Sequence, residues 1–131
     1  MTKTIILTGG GTAGHVAPNL ALIPSLVERG YEIHYLGERG GFEEQLTQNQ
    51  PVIFHPIRAG KLRRYFSLKN LTDPFRVIGG YFDAKKVIRQ VLPEAVFSKG
   101  GFVTVPVCAA GKRCRAPVVI HESDYTPGLA N

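Results

Sequence analysis

A glycine-rich stretch near the start of the chain has the residue types that bind phosphate groups. Three consecutive glycines, residues 9–11, follow an apolar run, and Thr12, Gly14 and His15 come directly after them. Glycine lets the backbone turn tightly with a positive φ and brings bare N–H groups close to a ligand. The helix predicted to follow directs its unpaired N–H groups and the positive end of its dipole at the same place. The stretch therefore predicts a phosphate or diphosphate site, and a tight turn without a ligand is the alternative.

His15 is the side chain in this stretch that best suits proton transfer. An imidazole in general changes its protonation near neutral pH, so a histidine here could take a proton from an attacking hydroxyl group. A histidine at the start of a helix also suits a second role, in which it donates a hydrogen bond to a phosphate without proton transfer. The residues alone leave both roles open.

Two later segments place polar side chains directly after predicted strands. Residues 98–101 read Ser-Lys-Gly-Gly, and residues 121–124 read His-Glu-Ser-Asp. The first segment suits a second cradle for phosphate or sugar, with Lys99 either a charged contact or a solvated loop lysine. In the second segment, His121 and Glu122 could orient a ligand or brace the first loop, and His121 equally suits a structural role.

Strand and helix patterns alternate along the chain and predict the elements that carry these loops. The order βαβαβαβαβ is typical of a doubly wound, Rossmann-like parallel sheet of the α/β class. In the common strand order 3-2-1-4-5, the order reverses between strands one and four, so the first two loops lie side by side and the third lies next along. The predicted strands cover about residues 5–7, 31–36, 52–57, 95–97 and 117–120, and the helices 17–29, 41–48, 73–92 and 103–113.

Prolines indicate where two of the predicted helices start. Pro18 is assigned to the first turn of the first helix, where a missing N–H costs nothing, and Asp73-Pro74 reads as a cap followed by proline. Pro24 lies inside the first helix, so a kink or a later start is expected there. The apolar period of the third helix includes Phe75, Ile78, Phe82, Val87, Ile88 and Val91.

Length and composition indicate one soluble globular domain. The chain has 131 residues, of which 44% are hydrophobic and 20% charged, and such a chain can bury a real core. Its two cysteines, Cys108 and Cys114, lie about 9 Å apart in one predicted helix, which predicts reduced thiols of a cytosolic protein rather than a disulfide. No signal peptide is expected after Lys3, and no apolar run approaches the length of about 20 residues that spans a bilayer.

The positive charge of the chain is concentrated in one segment. Six basic residues and one acid lie from Arg58 to Arg76, within a net charge of +6 for the whole chain. Basic and apolar side chains interleave there, which predicts reversible contact with an anionic membrane surface. Nucleic-acid binding is disfavoured because no recognition motif accompanies the charge, and a solvated basic loop is the remaining alternative. The residues assigned to the membrane surface are Lys61, Leu62, Arg63, Arg64, Tyr65, Phe66, Leu68 and Lys69.

The first glycine stretch also matches the dinucleotide-binding fingerprint. Gly9, Gly11 and Gly14 have the G-x-G-x-x-G spacing, and Glu38 follows the second strand, where an acid could bind a ribose. Two features count against a dinucleotide site. His15 and a nearby proline crowd the start of the helix, where the pyrophosphate of a dinucleotide needs a plain, close-packed turn. The second Gly-Gly loop opens on the same crevice, which suggests a second cradle for phosphate or sugar. An NAD-binding domain of an oxidoreductase is therefore the alternative function, and a non-enzymatic membrane-binding module is another.

Three segments, in order along the chain, resemble the MurG family of bacterial glycosyltransferases. Residues 10–18 read Gly-Gly-Thr-Ala-Gly-His-Val-Ala-Pro, residues 98–106 Ser-Lys-Gly-Gly-Phe-Val-Thr-Val-Pro, and residues 121–131 His-Glu-Ser-Asp-Tyr-Thr-Pro-Gly-Leu-Ala-Asn. This family transfers N-acetylglucosamine from UDP-N-acetylglucosamine to lipid I in peptidoglycan synthesis. The resemblance implies that residues 1–131 are the acceptor-binding, amino-terminal half of a two-domain GT-B enzyme and end before its first domain would finish. UDP-N-acetylglucosamine would bind mainly to a donor domain outside the chain.

The resemblance also implies roles for individual residues. The two glycine loops would hold the diphosphate of lipid I, and His15 would deprotonate the C4 hydroxyl of muramic acid, with inversion at the transferred sugar. Asp124 departs from the asparagine usual in the family and is a second candidate base. No cofactor or metal is implied, the basic segment would lie on the cytoplasmic face of the cell membrane, and the chain alone is expected to be inactive. The implied substrate-binding residues are Gly11, Thr12, Ala13, Gly14, His15, Lys99, Gly100, Gly101, Phe102, Glu122, Asp124 and Asn131.

Overall fold

A computed structural model of the chain describes residues 3–58, 69–101 and 103–121, with the backbone alone for residues 69–74. Strands and helices alternate along these residues. The strands are β1 (Lys3–Thr8), β2 (Tyr31–Glu38), β3 (Ile53–Ile57), β4 (Val96–Ser98) and β5 (Val118–Ile120). The helices are α1 (Ala13–Glu28), α2 (Phe42–Thr47), α3 (Lys69–Val91) and α4 (Thr104–Arg113).

The five strands form one sheet in the order β3-β2-β1-β4-β5. This is the order predicted from the alternation of strands and helices, and every neighbouring pair is parallel. At the centre, Leu7 of β1 pairs with Tyr35 of β2 on one side and with Phe97 of β4 on the other. The loops that follow β1 and β4 therefore start side by side at the carboxyl edge of the sheet.

Successive side chains of β1 point to opposite faces of the sheet and belong to two separate cores. Ile6 packs in a buried cluster with residues of α3 and α4, and Leu7 packs in a second cluster with residues of α1. Both side chains are fully buried, and such burial contributes about 2 kcal/mol per side chain. Because helices cover both faces of the sheet, its central strands are apolar on both sides. The predicted doubly wound α/β fold is confirmed.

The first helix begins earlier than its prolines predict. α1 begins at Ala13 rather than near residue 17, so the assignment of Pro18 to the first turn is wrong, and Pro18 and Pro24 both lie in its interior. Thr12 precedes the helix with extended backbone, at φ −142° and ψ 157°, directly after the glycine turn. A proline removes a single helix hydrogen bond, and packing of α1 on the sheet outweighs that loss.

The third helix also begins earlier than predicted. α3 begins at Lys69 rather than 73, so Asp73-Pro74 lies within the helix and is not its cap. The second strand is longer than predicted and ends at Glu38, and the remaining bounds agree within two residues. In the part of the chain that the structure describes, no helix combines the length and apolar character needed to cross a membrane.

Candidate functional site

The loops that follow β1 and β4 are hydrogen-bonded to each other. The N–H of Gly10 donates to the carbonyl oxygen of Gly100 at 3.1 Å, and the N–H of Lys99 donates to that of Thr8 at 3.0 Å. Gly101 has a φ of +96°, and a methyl group on its Cα would overlap the carbonyl oxygen of Gly10. The two glycine loops therefore lie in direct contact, as the predicted strand order requires.

The first loop leads straight into α1 and leaves backbone donors accessible. Gly11 turns the chain with a φ of +85°, and residues 11–14 are all exposed. The first N–H groups of a helix have no partner within the helix and carry the positive end of its dipole. The first turn of α1 is described in full and contains no acidic side chain. This end of the helix therefore suits an anion.

The first loop holds His15 in one tautomer. The Nδ1 atom of His15 lies 2.9 Å from the carbonyl oxygen of Gly10. A carbonyl oxygen only accepts hydrogen bonds, so Nδ1 carries the proton and Nε2 of the neutral ring keeps its lone pair. Nε2 is therefore the atom that can take up a proton. A role as donor to a phosphate through Nε2 would require the charged ring.

Lys99 is buried beside the loops although it carries an ammonium group. Its side chain is 1% exposed, and its Nζ has no hydrogen-bond partner among the described residues. The interpretation of Lys99 as a solvated loop lysine is wrong. An unpaired ammonium group costs several kcal/mol when it leaves water, so a negative charge close by is strongly favoured. Lys99 is therefore the basic residue of the second loop that a negatively charged ligand would favour.

Two buried polar residues that the sequence patterns did not single out support the first loop from within the core. The hydroxyl of Tyr35 donates to the carbonyl oxygen of Gly9 at 2.7 Å, and Nδ2 of Asn19 donates to that of Thr8 at 3.0 Å. Burial raises the pKa of Tyr35, so its hydroxyl stays protonated and remains a donor. A tyrosine in an apolar strand and an asparagine on the core face of α1 are the signals that could have identified them.

The third predicted segment begins beside the second loop. The N–H of His121 donates to the carbonyl oxygen of Ser98 at 2.9 Å, and the His121 ring stacks on Phe97 with centroids 6.3 Å apart. The predicted placement of this segment next to residues 98–101 is therefore observed at its first residue. The remaining predicted site residues, Phe102, Glu122, Asp124 and Asn131, lie outside the described residues.

Part of the apolar pattern of α3 faces solvent rather than the core. Phe75, Ile78 and Phe82 expose 74%, 54% and 57% of their surface, whereas Ala84 and Ile88 are buried. The apolar period predicted for this helix is therefore present, but its first half does not form a buried face. Most of the predicted membrane surface, residues 61–68, lies outside the described residues, as does the side chain of Lys69.

A protein-family model decides the assignment of the chain. The model of the glycosyltransferase family 28 N-terminal domain matches residues 5–131. The chain belongs to this family. Membership of glycosyltransferase family 28 leaves the dinucleotide-binding alternative without support.

Curated relatives in family 28 share the resemblance noted from the motifs. The chain is 57% identical over 129 residues to the UDP-N-acetylglucosamine–N-acetylmuramyl-(pentapeptide) pyrophosphoryl-undecaprenol N-acetylglucosamine transferase of Lachnoclostridium phytofermentans. It is 58% identical to the enzyme of the same name from Clostridium botulinum strain Langeland. Each alignment covers 98% of the chain and 36% of the relative, so the chain spans about a third of the length of these proteins.

Solved structures agree with the family 28 assignment. MurG of Acinetobacter baumannii superposes with a TM-score of 0.85 at 28% identity, over 98% of this chain and 37% of that one. The calicheamicin glycosyltransferase CalG4 superposes with a TM-score of 0.68 at 15% identity, over 100% of this chain and 35% of that one, which supports the fold alone. The resemblance to MurG and the amino-terminal GT-B fold are confirmed.

Proposed function

We propose that this chain is the acceptor-binding part of a transferase that moves N-acetylglucosamine from UDP-N-acetylglucosamine to the C4 hydroxyl of lipid I, giving lipid II. The names of its curated relatives state a transferase of this class. The chain spans 36% of those relatives, and we infer from the motif resemblance that UDP-N-acetylglucosamine binds mainly to a part of the enzyme outside it. We infer that residues 1–131 form one acceptor-binding domain and do not turn over substrate alone.

The observation that carries the proposal is the direct contact between the two glycine loops at the start of α1, with the buried side chain of Lys99 in the second loop. The diphosphate of lipid I would supply the opposite charge, and exposed N–H groups at the start of α1 would bind its oxygens. Phe102, Glu122, Asp124 and Asn131 complete the proposed acceptor site on the basis of the motif resemblance.

In the proposed reaction, His15 is the general base. Its Nε2 takes the proton of the C4 hydroxyl while that oxygen attacks the anomeric carbon of the donor sugar. The bond between that carbon and the diphosphate of UDP breaks in the same displacement, so UDP leaves and the configuration inverts. The hydrogen bond from Nδ1 to Gly10 supports this role because it leaves Nε2 free to accept. Asp124 is the second candidate base.

We also propose that the enzyme contacts the cytoplasmic face of the cell membrane peripherally, through the basic segment and the start of α3. The exposed Phe75, Ile78 and Phe82 support this, since Phe75 lies within the basic segment and the other two follow it along α3. Reversal of two charges, Arg63→Glu with Arg64→Glu, is expected to weaken sedimentation with anionic vesicles about tenfold or more. Unchanged sedimentation of that variant would overturn the membrane proposal.

Calorimetric titration of the chain with a soluble, short-chain lipid I analogue tests the acceptor function, with NADH in a parallel titration. Saturable binding of the analogue, together with no heat from NADH, is the expected result. Binding of NADH without binding of the analogue would return the first glycine loop to the dinucleotide interpretation. If substitution of Lys99 or of the loop glycines leaves the affinity for the analogue unchanged, the placement of the diphosphate is wrong.

A further inference from the structure

Glu43 of α2 is a buried carboxylate that the proposed chemistry does not use. Its side chain is 1% exposed and is among the largest fully buried side chains of the described residues. Oε1 accepts a hydrogen bond from the N–H of Glu38 at 2.8 Å, whereas Oε2 is buried without a hydrogen-bond partner in the part of the chain that the structure describes. A buried carboxylate with one unsatisfied oxygen costs free energy, so its position requires a compensating role.

Three glycines surround this carboxylate. A methyl group added to Gly10 or Gly37 would overlap the side chain of Glu43, and one added to Gly41 would lie 2.9 Å from Oε2. None of the three has a φ in the left-handed region. A side chain at any of these three positions would therefore displace Glu43, although the backbone conformation there would accept one.

Gly10 connects Glu43 to the rest of the site. The three atoms nearest to a methyl group on Gly10 would be the carboxylate carbon and both carboxylate oxygens of Glu43. On its other sides, Gly10 donates to the carbonyl oxygen of Gly100 and accepts from Nδ1 of His15. A shift of Gly10 would therefore change the contact between the two loops and the orientation of the His15 ring together.

We propose that Glu43 is a positioning residue that fixes Gly10, and through Gly10 fixes the His15 imidazole and the spacing of the glycine loops. The inference rests on the proposed function where it concerns acceptor binding, and on the structure alone where it concerns His15. Oε1 anchors the side chain to the end of β2 through the N–H of Glu38. A carboxylate close to the bound diphosphate would repel it. The proposed role of Glu43 therefore depends on the shape of its side chain and on its hydrogen bond to Glu38, and not on its charge.

Two substitutions at residue 43 separate position from charge, and a neighbouring glutamate provides a matched control. Glu43→Ala is expected to weaken binding of the soluble lipid I analogue about tenfold, as the loss of one strong contact would. Glu43→Gln keeps the length and the acceptor atom, so binding is expected to be unchanged or tighter. Glu44→Ala removes a carboxylate that accepts from the N–H of Gly40 at the surface, and is expected to change affinity by less than about twofold.

The ring nitrogens of His15 give a second measurement that needs no substrate. Nitrogen-15 NMR of the wild type is expected to show the tautomer with the proton on Nδ1. In Glu43→Ala this signal is expected to shift toward a mixture of tautomers, whereas Glu43→Gln and Glu44→Ala retain it. If the wild type fails to bind the analogue, the proposed function fails, and the His15 signal still tests the role of Glu43.

Gly37→Ala covers the case in which Glu43→Ala does not fold. A methyl group on Gly37 occupies the place of the Glu43 side chain and displaces it without any substitution in the glycine loop. The same loss of affinity and of the His15 signal is expected. The proposal is overturned if folded Glu43→Ala or Gly37→Ala keeps both the affinity and the His15 signal. It is also overturned if Glu43→Ala and Glu43→Gln change the affinity equally, because charge would then be the cause.

Discussion

The glycine loops bury a basic side chain, whereas the face of α3 that carries Phe75 and Phe82 exposes large apolar side chains. At the loops, the basic Lys99 is buried and its Nζ has no partner among residues 3–58, 69–101 and 103–121, whereas on α3 the large apolar Phe75 and Phe82 are exposed. Buried cations and exposed clusters of aromatic residues are both uncommon in soluble domains. The loops therefore suit a compact anionic group, and the face of α3 suits a broad apolar surface. Lipid I combines both features, a diphosphate and a polyprenyl chain.

The largest expected effect comes from disturbing the contact between the two loops. Gly101→Ala is expected to abolish saturable binding of the lipid I analogue, because its methyl group would overlap the carbonyl oxygen of Gly10 at a φ of +96°. Gly30→Ala is the matched control, since Gly30 has a φ of +85° but no atom within 4 Å of the added methyl group. It is expected to lose about 1 kcal/mol of unfolding free energy and no affinity. Calorimetry and thermal unfolding measure the two effects, and equal affinities for both variants would contradict the loop placement.

Replacement of Lys99 is expected to change affinity and stability in opposite directions. Lys99→Met removes the counter-charge and should weaken analogue binding about tenfold. The same change removes an unpaired buried ammonium group, so the unfolding free energy should rise by about 1 kcal/mol or more. Lys112→Met, at an exposed position of α4, is the control and should change neither quantity appreciably. A loss of stability in Lys99→Met would show that Lys99 supports the fold rather than the ligand.

The exposed face of α3 is tested by removing its aromatic side chains. Phe75→Ser with Phe82→Ser is expected to weaken partitioning into anionic vesicles by about tenfold, because apolar area buried in the membrane is lost. Stability should change little, since both side chains are more than half exposed. Leu22→Ser is the control, because Leu22 is exposed on α1, which packs on the opposite face of the sheet. Equal partitioning of all three proteins would remove this face from the membrane contact.

The smallest effect is expected away from both regions, at a pair of histidines in β2 and β3. His34 Nε2 lies 2.7 Å from Glu32 Oε1, and His34 Nδ1 lies 2.8 Å from His55 Nε2. Burial first, and then the charge of His34, lower the pKa of His55. In the unfolded chain this group titrates near its usual pKa of about 6.5, so the unfolded state binds more protons just below that pH. The stability contributed by neutral His55 is therefore complete above about pH 6.5 and is lost as the pH falls below it.

Thermal unfolding between about pH 7.5 and pH 5 measures how stability depends on pH. These limits lie about one unit or more on either side of the usual histidine pKa. His55→Gln keeps a hydrogen-bonding side chain beside Nδ1 of His34 and is expected to flatten the dependence. If His55→Gln retains the full slope of the wild type, another group is responsible.

Topology was the most predictable part of this protein. The apolar runs at Ile5–Leu7 and in the later strands, separated by helical patterns and glycines, predicted the parallel order that the sheet adopts. The predicted starts of α1 and α3 were wrong because both relied on proline as a boundary signal. A proline changes one hydrogen bond, whereas packing along the whole length of a helix decides where it begins.

The candidate site was predicted only in part. Glycine spacing and the position of His15 follow from local backbone requirements, so the sequence indicates them directly. The roles of Asn19, Tyr35 and Glu43 depend on contacts with loops far away in the chain. A buried polar side chain of this kind has the same local pattern as one on a solvated face, so the sequence alone did not single it out.

The sequence by itself determined the class of fold, the strand order and the family, because these depend on the period of apolar residues and on short glycine motifs. Only the tertiary structure decided that Lys99 is buried, that Nδ1 of His15 faces Gly10, and that Phe75 and Phe82 point away from the core. Burial and pairing depend on which distant segments pack together, and no local pattern contains that information.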